Sequence, residues 1–575
     1  MSRARGNSTS ISPRWIWPAL VSILALYVFA VFLMHPVAYF GSFGDDGVYF
    51  SSAKALAEGR GYIMPSFPGR LPGMKYPELY PLILSGIWRL DPNFPSNVNF
   101  GVALTLLFGC AFLVLTFFML RRWPGVGEIG ALAVTGLSAF SVEFFFSSRF
   151  ISTDVPFAAM ALGAVWLTDR SRERDRGTAA IFAAGLLAGL SVGVRGLGIA
   201  AVAGIWLALL GKREFQRLGW FSVAALPSSI PWLWPSFARI FAHSGSALLQ
   251  DPDANGWTQT VCYYSSYACN WRMWVTNWTS FKSVIEFNLK AICQAPGLAL
   301  LSPFAATSGL ASLALVSLLS AAAVIGVIRL SQKLGWQPIH AFLLCNLALI
   351  LPWPYEPERF LIPFYPLLFA GVWLEGKRLA SLLVSSFGPG RSVGERALAA
   401  AMGLGAIALA ALVSFNCFYY NPSQTATRGE LGQRLLAERS GAYSWIRDHA
   451  APNANVIADR AGALYLSTGR RAVPPIASLV QSFYQHDPRY IEHDVAHLGD
   501  VAAHIHASYW LLCNDDTGAV AEELGPDRVK ELEILAQAPV VYRSTDGAVR
   551  LYDVRSLFSV LSGTAGLAAR QHSGK

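Results

Sequence analysis

Two adjacent carboxylates, Asp45 and Asp46 in "GSFGDDGVYFSSAKALAEGRGY", follow an apolar stretch that reads as a membrane span. Ionisable side chains at that depth are costly and by default mark a functional site. More polar groups sit at the ends of other apolar segments. They are Lys75 in "MKYPELYP", Arg149 and Asp154 in "SSRFISTDVPF", Arg195 in "SVGVRGLGIA", and Glu356, Glu358 and Arg359 in "YEPERFLIPFYP". A carboxylate at the interface can act as general base toward a hydroxyl or amine. Lysine neutralises a phosphate as a point charge and arginine through a planar fork. A charge-balanced phosphate is a good leaving group. The set therefore suits group transfer from a lipid phosphate. Each residue also has a plainer use. Asp45 or Asp46 can cap a helix beginning near Tyr49. Arg149 and Asp154 can pair at a span boundary, and Arg359 can anchor at the interface by snorkelling.

The elements that hold these residues follow from composition. Apolar residues make up 53% of the 575 and charged residues only 14%, against about 25% in soluble chains. The excess recurs in segments of about 20 residues, the length of a helical span. Candidate spans lie near 15–38, 98–120, 128–147, 153–169, 178–194, 197–211, 218–240, 305–329, 338–354, 359–376 and 397–419. The expected fold is a polytopic α-helical membrane protein with about eleven spans. The net charge of +9 is spread over short clusters such as "DRSRERDRG" and "GKREFQR". Those are cytoplasmic loops rather than a nucleic-acid surface. An odd span count then puts the C-terminus outside the cell membrane, together with outer loops 39–97 and 241–304. The piece 80–90 is too short to span and reads as an interfacial helix with Trp88 at headgroup level. Residues 1–420 form the membrane domain. The tail 421–575 alternates helix-like "AYSWIRDH" with strand-like "NVIAD", "YWLLC", "PVVYR" and "AVRLYDV", which reads as a small soluble α/β domain.

On this topology the acids and bases converge on one leaflet, and here the motifs meet a known family. "DDGVYFSSAKALAEGRGY…KYPELYPLILS" resembles the first outer loop of GT-C fold glycosyltransferases, which include protein O-mannosyltransferases and lipid A aminoarabinose transferases. "RFISTDVPF", "GLLAGLSVGVRGLG" and "ERFLIPFYPLL" are similar to later elements of that superfamily, in order. The resemblance implies a polyprenyl-phosphate sugar donor, an inverting transfer, and a protein, lipid or glycan acceptor at the outer face. It places Asp45 or Asp46 as the catalytic carboxylate, Asp154 as the second acidic site, and Lys75, Arg195 and Arg359 toward the carrier phosphate. Arg149 and Glu358 are further candidates for the donor site. Where aminoarabinose transferases carry a glutamate before the lysine, this chain has Met74. A divalent metal is possible, but no set of metal ligands is assigned.

Other features stay open at the sequence level. Cys262 and Cys269 share an aromatic loop and can pair if it faces an oxidising compartment. Its Trp and Tyr residues suit either sugar stacking or an interfacial belt. His493 and His497, four apart in a stretch with five histidines, have one-face helical spacing but no HExxH. The rival reading is a transporter or flippase of lipid-linked sugars. It calls for midplane sites and inverted repeats, and no repeat is evident.

Overall fold

The computed structural model describes residues 13–33, 36–41, 44–69, 71–72, 75–173, 177–242, 278–302, 309–353, 357–387, 392–475, 501–513 and 538–556. Each expected span coincides with helix. The first is α1 (Pro13–Phe32), followed by the single turn α2 (Pro36–Tyr39). After the first loop come α5 (Val98–Leu120), then α6 (Gly127–Phe140) and α7 (Val142–Ser148), which together form one segment bent by 58°. Next are α8 (Asp154–Arg170), α9 (Gly177–Val194), α10 (Gly198–Gly211) and α11 (Phe215–Ala242). Among the described residues, six helices are long and apolar enough to cross a membrane, or seven with the bent pair. The others are short or less apolar; of these, α8 is buried along most of its length.

One helix was not expected. α12 (Trp278–Leu301) falls in the predicted outer loop, although its part Phe281–Leu301 passes the length and hydropathy test for a span. Its tethers show how it lies. Asn288 donates to the carbonyls of Ile350, Leu351 and Trp353, at the C-terminal end of the Pro338–Ile350 helix. The carbonyls of Leu300 and Ser302 accept from Asn416, at the end of the Val393–Phe415 helix. Both attachment points belong to the end of the bundle that carries the first loop. The two tethers are about 18 Å apart along the helix, so α12 lies across that end rather than adding a crossing.

The first loop folds as α3 (Asp45–Ala57), a two-residue hairpin of β1 (Ile63–Met64) and β2 (Leu71–Pro72), and α4 (Leu79–Leu90). The helix expected near Tyr49 starts four residues earlier, at Asp45. Neither aspartate is its cap. Gly44 takes that position with φ 73°, a conformation that favours glycine, and the acids sit in the first turn, where the helix dipole favours them. Trp88 is not a headgroup anchor. It is buried, and its indole N–H donates to the carbonyl of Phe50 at 3.0 Å, locking α4 onto α3. Leu82, Ile83 and Leu90 form the exposed side instead.

The last span, Val393–Phe415, continues through a π turn (Asn416–Tyr420) into helix Asn421–His449, so one helical rod passes from membrane to tail. Four strand-like runs of the tail are strands. They are β3 (Asn455–Ile457), β5 (Ala507–Cys513), β6 (Val540–Arg543) and β7 (Val549–Asp553). With β4 (Arg471–Val473) they form a sheet of order β4-β3-β5-β7-β6, parallel over its first three strands and antiparallel over the rest. Alternation along β5 divides its duties. Tyr509, Leu511 and Cys513 pack with Tyr443 and Ile446 of the rod, while Trp510 and Leu512 join the core that continues into the membrane bundle. The first loop even extends the sheet, since the Ser66 carbonyl accepts from the Ala472 amide at 2.9 Å. The cysteine pair 262/269, the aromatic loop around it, and His493 and His497 lie outside the described residues.

Candidate active site

Successive residues on a helix point about 100° apart, and this separates Asp45 from Asp46. Asp45 faces the second half of its own loop. Its Oδ1 accepts from the Tyr76 hydroxyl at 2.9 Å. Among the described residues, Oδ2 takes no hydrogen bond. Tyr76 also packs edge-on against Tyr49, whose ring meets Tyr80 on its other side. The Tyr49 hydroxyl lies 3.2 Å from Thr153 Oγ1, linking the first loop to the turn before α8.

That turn holds the second acid. Asp154 is 2% exposed. Its Oδ2 accepts from Ser152 Oγ at 3.0 Å, and its amide donates back to the same oxygen at 3.1 Å. Its Oδ1 pairs with Arg195 Nη1 at 2.5 Å, and Arg195 also donates to Thr153 Oγ1 at 3.0 Å. Arg195 sits in the one-turn break between α9 and α10, so its side chain enters the bundle from a separate corner. Its guanidinium lies 4.7 Å from the centre of the Phe360 ring, and that of Arg359 lies 5.0 Å from the same ring. Arg359 and Glu358 open the 3₁₀ segment Glu358–Phe364.

Lys75 completes the group. It is 6% exposed. Burial pushes its pKa down to about 8, with Asp45 opposing and Arg359 adding to the fall. The structure thus gathers Asp45, Lys75, Asp154, Arg195 and Arg359 from separate segments at one end of the bundle. It contributes Tyr76, Tyr49 and Thr153 as connecting hydroxyls, which the residue-type argument passed over. Tyr76 stood inside the quoted "KYPELYP" motif and was legible there.

Two candidates have different surroundings. The Asp154 carboxylate is held by Arg195, and Arg149 sits at the end of α7. Its guanidinium lies 4.0 Å from Phe146, 4.6 Å from Tyr39 and 4.9 Å from Phe150, inside an aromatic box. Asp46 is fully buried and turns toward the tail. Its Oδ2 accepts from the Gly41 amide and its Oδ1 from the Gly47 amide, each at 2.8 Å. Burial pushes its pKa up to about 7, and the two amides and Arg460 of the tail counter only part of that. Just beside it, α3 meets the tail backbone to backbone. A Cβ on Gly462 would fall 2.6 Å from Gly47 Cα.

Among the described residues no cluster of three or more possible metal ligands occurs, and Asp154 is already matched by Arg195; Glu356 lies outside the described residues. The group instead offers a carboxylate beside several fixed cations, an arrangement for binding a phosphate and taking a proton next to it.

The fold is the GT-C-like one expected from the sequence, a polytopic helical bundle followed by a sheet-containing tail domain. Over nearly the full length of both chains, the protein is similar to the crystal structure of ArnT from Cupriavidus metallidurans bound to undecaprenyl phosphate, with a TM-score of 0.50 and 13% identity, covering 94% of this chain and 98% of that one. The archaeal oligosaccharyltransferase AglB from Archaeoglobus fulgidus, in complex with an inhibitory peptide and a dolichol-phosphate, is also similar, with a TM-score of 0.49 and 14% identity over 94% of this chain and 74% of that one. No protein-family profile and no curated protein matches the sequence.

Proposed function

We propose that this multi-pass membrane protein is a glycosyltransferase that moves a sugar from a polyprenyl-phosphate donor to an acceptor on the extracytoplasmic face. The observation that carries the reading is the meeting of Asp45, Lys75, Arg359 and the Asp154–Arg195 pair at one end of the bundle. The structural likeness to a protein crystallised with undecaprenyl phosphate supports the class of carrier.

Asp45 is the base. Tyr76 fixes one oxygen, and the other accepts the proton of the incoming hydroxyl or amine. That nucleophile attacks the anomeric carbon from the side opposite the phosphate, so the configuration inverts. The bond from the anomeric carbon to the phosphate oxygen breaks, and the polyprenyl phosphate leaves with the electron pair. Lys75, Arg195 and Arg359 meet the charge that develops there. Asp154 positions Arg195, with Ser152 and Thr153 holding both in place. Asp46 is structural: it fixes the start of α3, and with it the direction in which Asp45 points. A flippase would instead need charged groups near the midplane, and this group sits at the ends of helices.

The test is the transfer reaction in reconstituted membranes, read by mass spectrometry of envelope lipids and glycoproteins with and without the protein. Asp45→Asn is expected to abolish product while the protein inserts and melts normally. Full activity of Asp45→Asn sinks the assignment.

A further inference from the structure

A second polar cavity lies away from this group, in the seam between the first loop and the tail. It has a volume of about 270 Å³ and is lined by Arg60 and Pro65 from the loop and by Asn453, Tyr465 and Arg471 from the tail. Arg60 Nη1 donates to the Tyr465 hydroxyl at 3.2 Å, which leaves the tyrosine O–H proton to donate elsewhere. Arg60 also pairs with Glu58, so its charge is matched. Two nearby cations are not matched in this way. Lys54, half-buried at the end of α3, lies 5.3 Å from the centre of the Trp88 ring and 6.0 Å from that of Tyr465. Arg471, half-buried on the edge strand β4, opens into the cavity. Among the described residues, neither has a carboxylate within ion-pair distance. Half-buried cations without a counter-charge are costly, and here Arg471 meets a hydroxyl donor and a carboxamide around an open space, with Lys54 near the Tyr465 ring.

We infer that this seam is an anion subsite, shaped for a phosphoryl group held by Arg471 with the Tyr465 hydroxyl donating, and favoured by the charge of Lys54 beside the Tyr465 ring. The guanidinium of Arg471 can meet two phosphoryl oxygens at once, and Lys54 adds to the positive field near Tyr465 without lining the cavity. Its role, anchoring a phosphate-bearing acceptor beside the transfer site, rests on the function proposed above. The anion binding itself does not. The same chemistry is offered by a phosphorylated lipid headgroup or by free phosphate.

The experiment uses the full chain in nanodiscs of zwitterionic lipid, in a Lys75→Ala/Arg359→Ala background that removes phosphate affinity from the transfer site. Inorganic phosphate is titrated by ³¹P line broadening, followed by dioctanoyl phosphatidic acid against dioctanoylglycerol. Saturable phosphate binding is expected in that background, about tenfold weaker after Arg471→Gln and partly restored by Arg471→Lys. Arg60→Gln, which leaves both unmatched cations in place, is expected to weaken binding less. Phosphatidic acid binding far more tightly than phosphate assigns the site to a lipid headgroup, and equal affinities assign it to the free anion. Absence of saturable binding below about 10 mM, or binding unchanged by both Arg471→Gln and Lys54→Gln, overturns the subsite. Transfer by the otherwise wild-type chain is assayed separately, so loss of the subsite and loss of the transferase reading are distinct results.

Discussion

Helix α3 has two working faces, and its first two residues belong to different ones. The Asp45 face looks across the loop to Tyr76, Lys75 and the arginines of distant corners, and its polar atoms are held mostly by side chains. The Asp46 face looks to the tail, where contacts are backbone amides and two glycines packed against each other. Side-chain partners can exchange for a substrate, whereas backbone partners fix a position. The difference teaches that identical acids in tandem need not play the same part. The rotation of about 100° between helical neighbours is enough to turn one of them toward side-chain partners and the other toward backbone amides.

The comparison breaks most sharply at its centre. Asp45→Asn is expected to lower turnover by about 10²–10⁴-fold, the usual worth of a general base, with little change in melting temperature. Asp46→Asn should reverse the pattern. Its amide nitrogen would face a backbone N–H, costing roughly 1–3 kcal/mol of stability, with turnover falling by less than about tenfold. Equal kinetic losses in the two variants would erase the distinction. Next in size is Arg195→Lys. It keeps the charge but loses the planar guanidinium whose Nη1 meets both Asp154 and Thr153, so kcat/KM should fall roughly 10–100-fold. Rescue to wild-type rate by lysine would show that charge alone matters. On the other face, Gly462→Ala drives a Cβ into Gly47. It should cost about 1–3 kcal/mol and raise hydrogen exchange in α3 and β4 together. Gly86→Ala is the control, since its Cβ would meet nothing within 4 Å.

Much of the Asp45 face was legible in the sequence, and the Asp46 face was not. Acids and bases at the ends of apolar runs announce themselves, because the bilayer leaves them few places to go. That logic singled out Asp45, Lys75, Asp154, Arg195 and Arg359, which the fold brings to one end of the bundle. It also singled out Arg149, but not the aromatic rings around its guanidinium, which composition cannot rank as partners. The span pattern was equally readable, save for α12: hydropathy marks what can cross a membrane but not what two asparagines tie to one end of it. The seam rests on Arg460, Gly462 and Arg471, which lie some four hundred positions along the chain from the loop they meet. No local periodicity reports such a contact, and Gly47 and Gly462 carry no chemistry to flag it.

The gentlest test is pH, because the two faces respond in separate windows and separate observables. Lys75 has its pKa lowered to about 8, so it is mostly charged at neutral pH and loses its proton above that value. Donor affinity should therefore fall as pH rises through 8, and Lys75→Arg should move that limb upward. Asp46 has its pKa raised to about 7, above its unfolded value of about 3.9. The folded chain then holds this proton more tightly than the unfolded one. Its contribution favours folding at low pH, declines as pH rises from about 4 to 7, and is constant beyond. The wild type should lose stability relative to Asp46→Asn as pH rises from about 4 to 7, so the gap between their melting curves is widest in acid and narrows toward neutrality. A slope that persists unchanged in Asp46→Asn, or an activity limb near 8 that vanishes with it, would place the titrating groups on the wrong faces of α3.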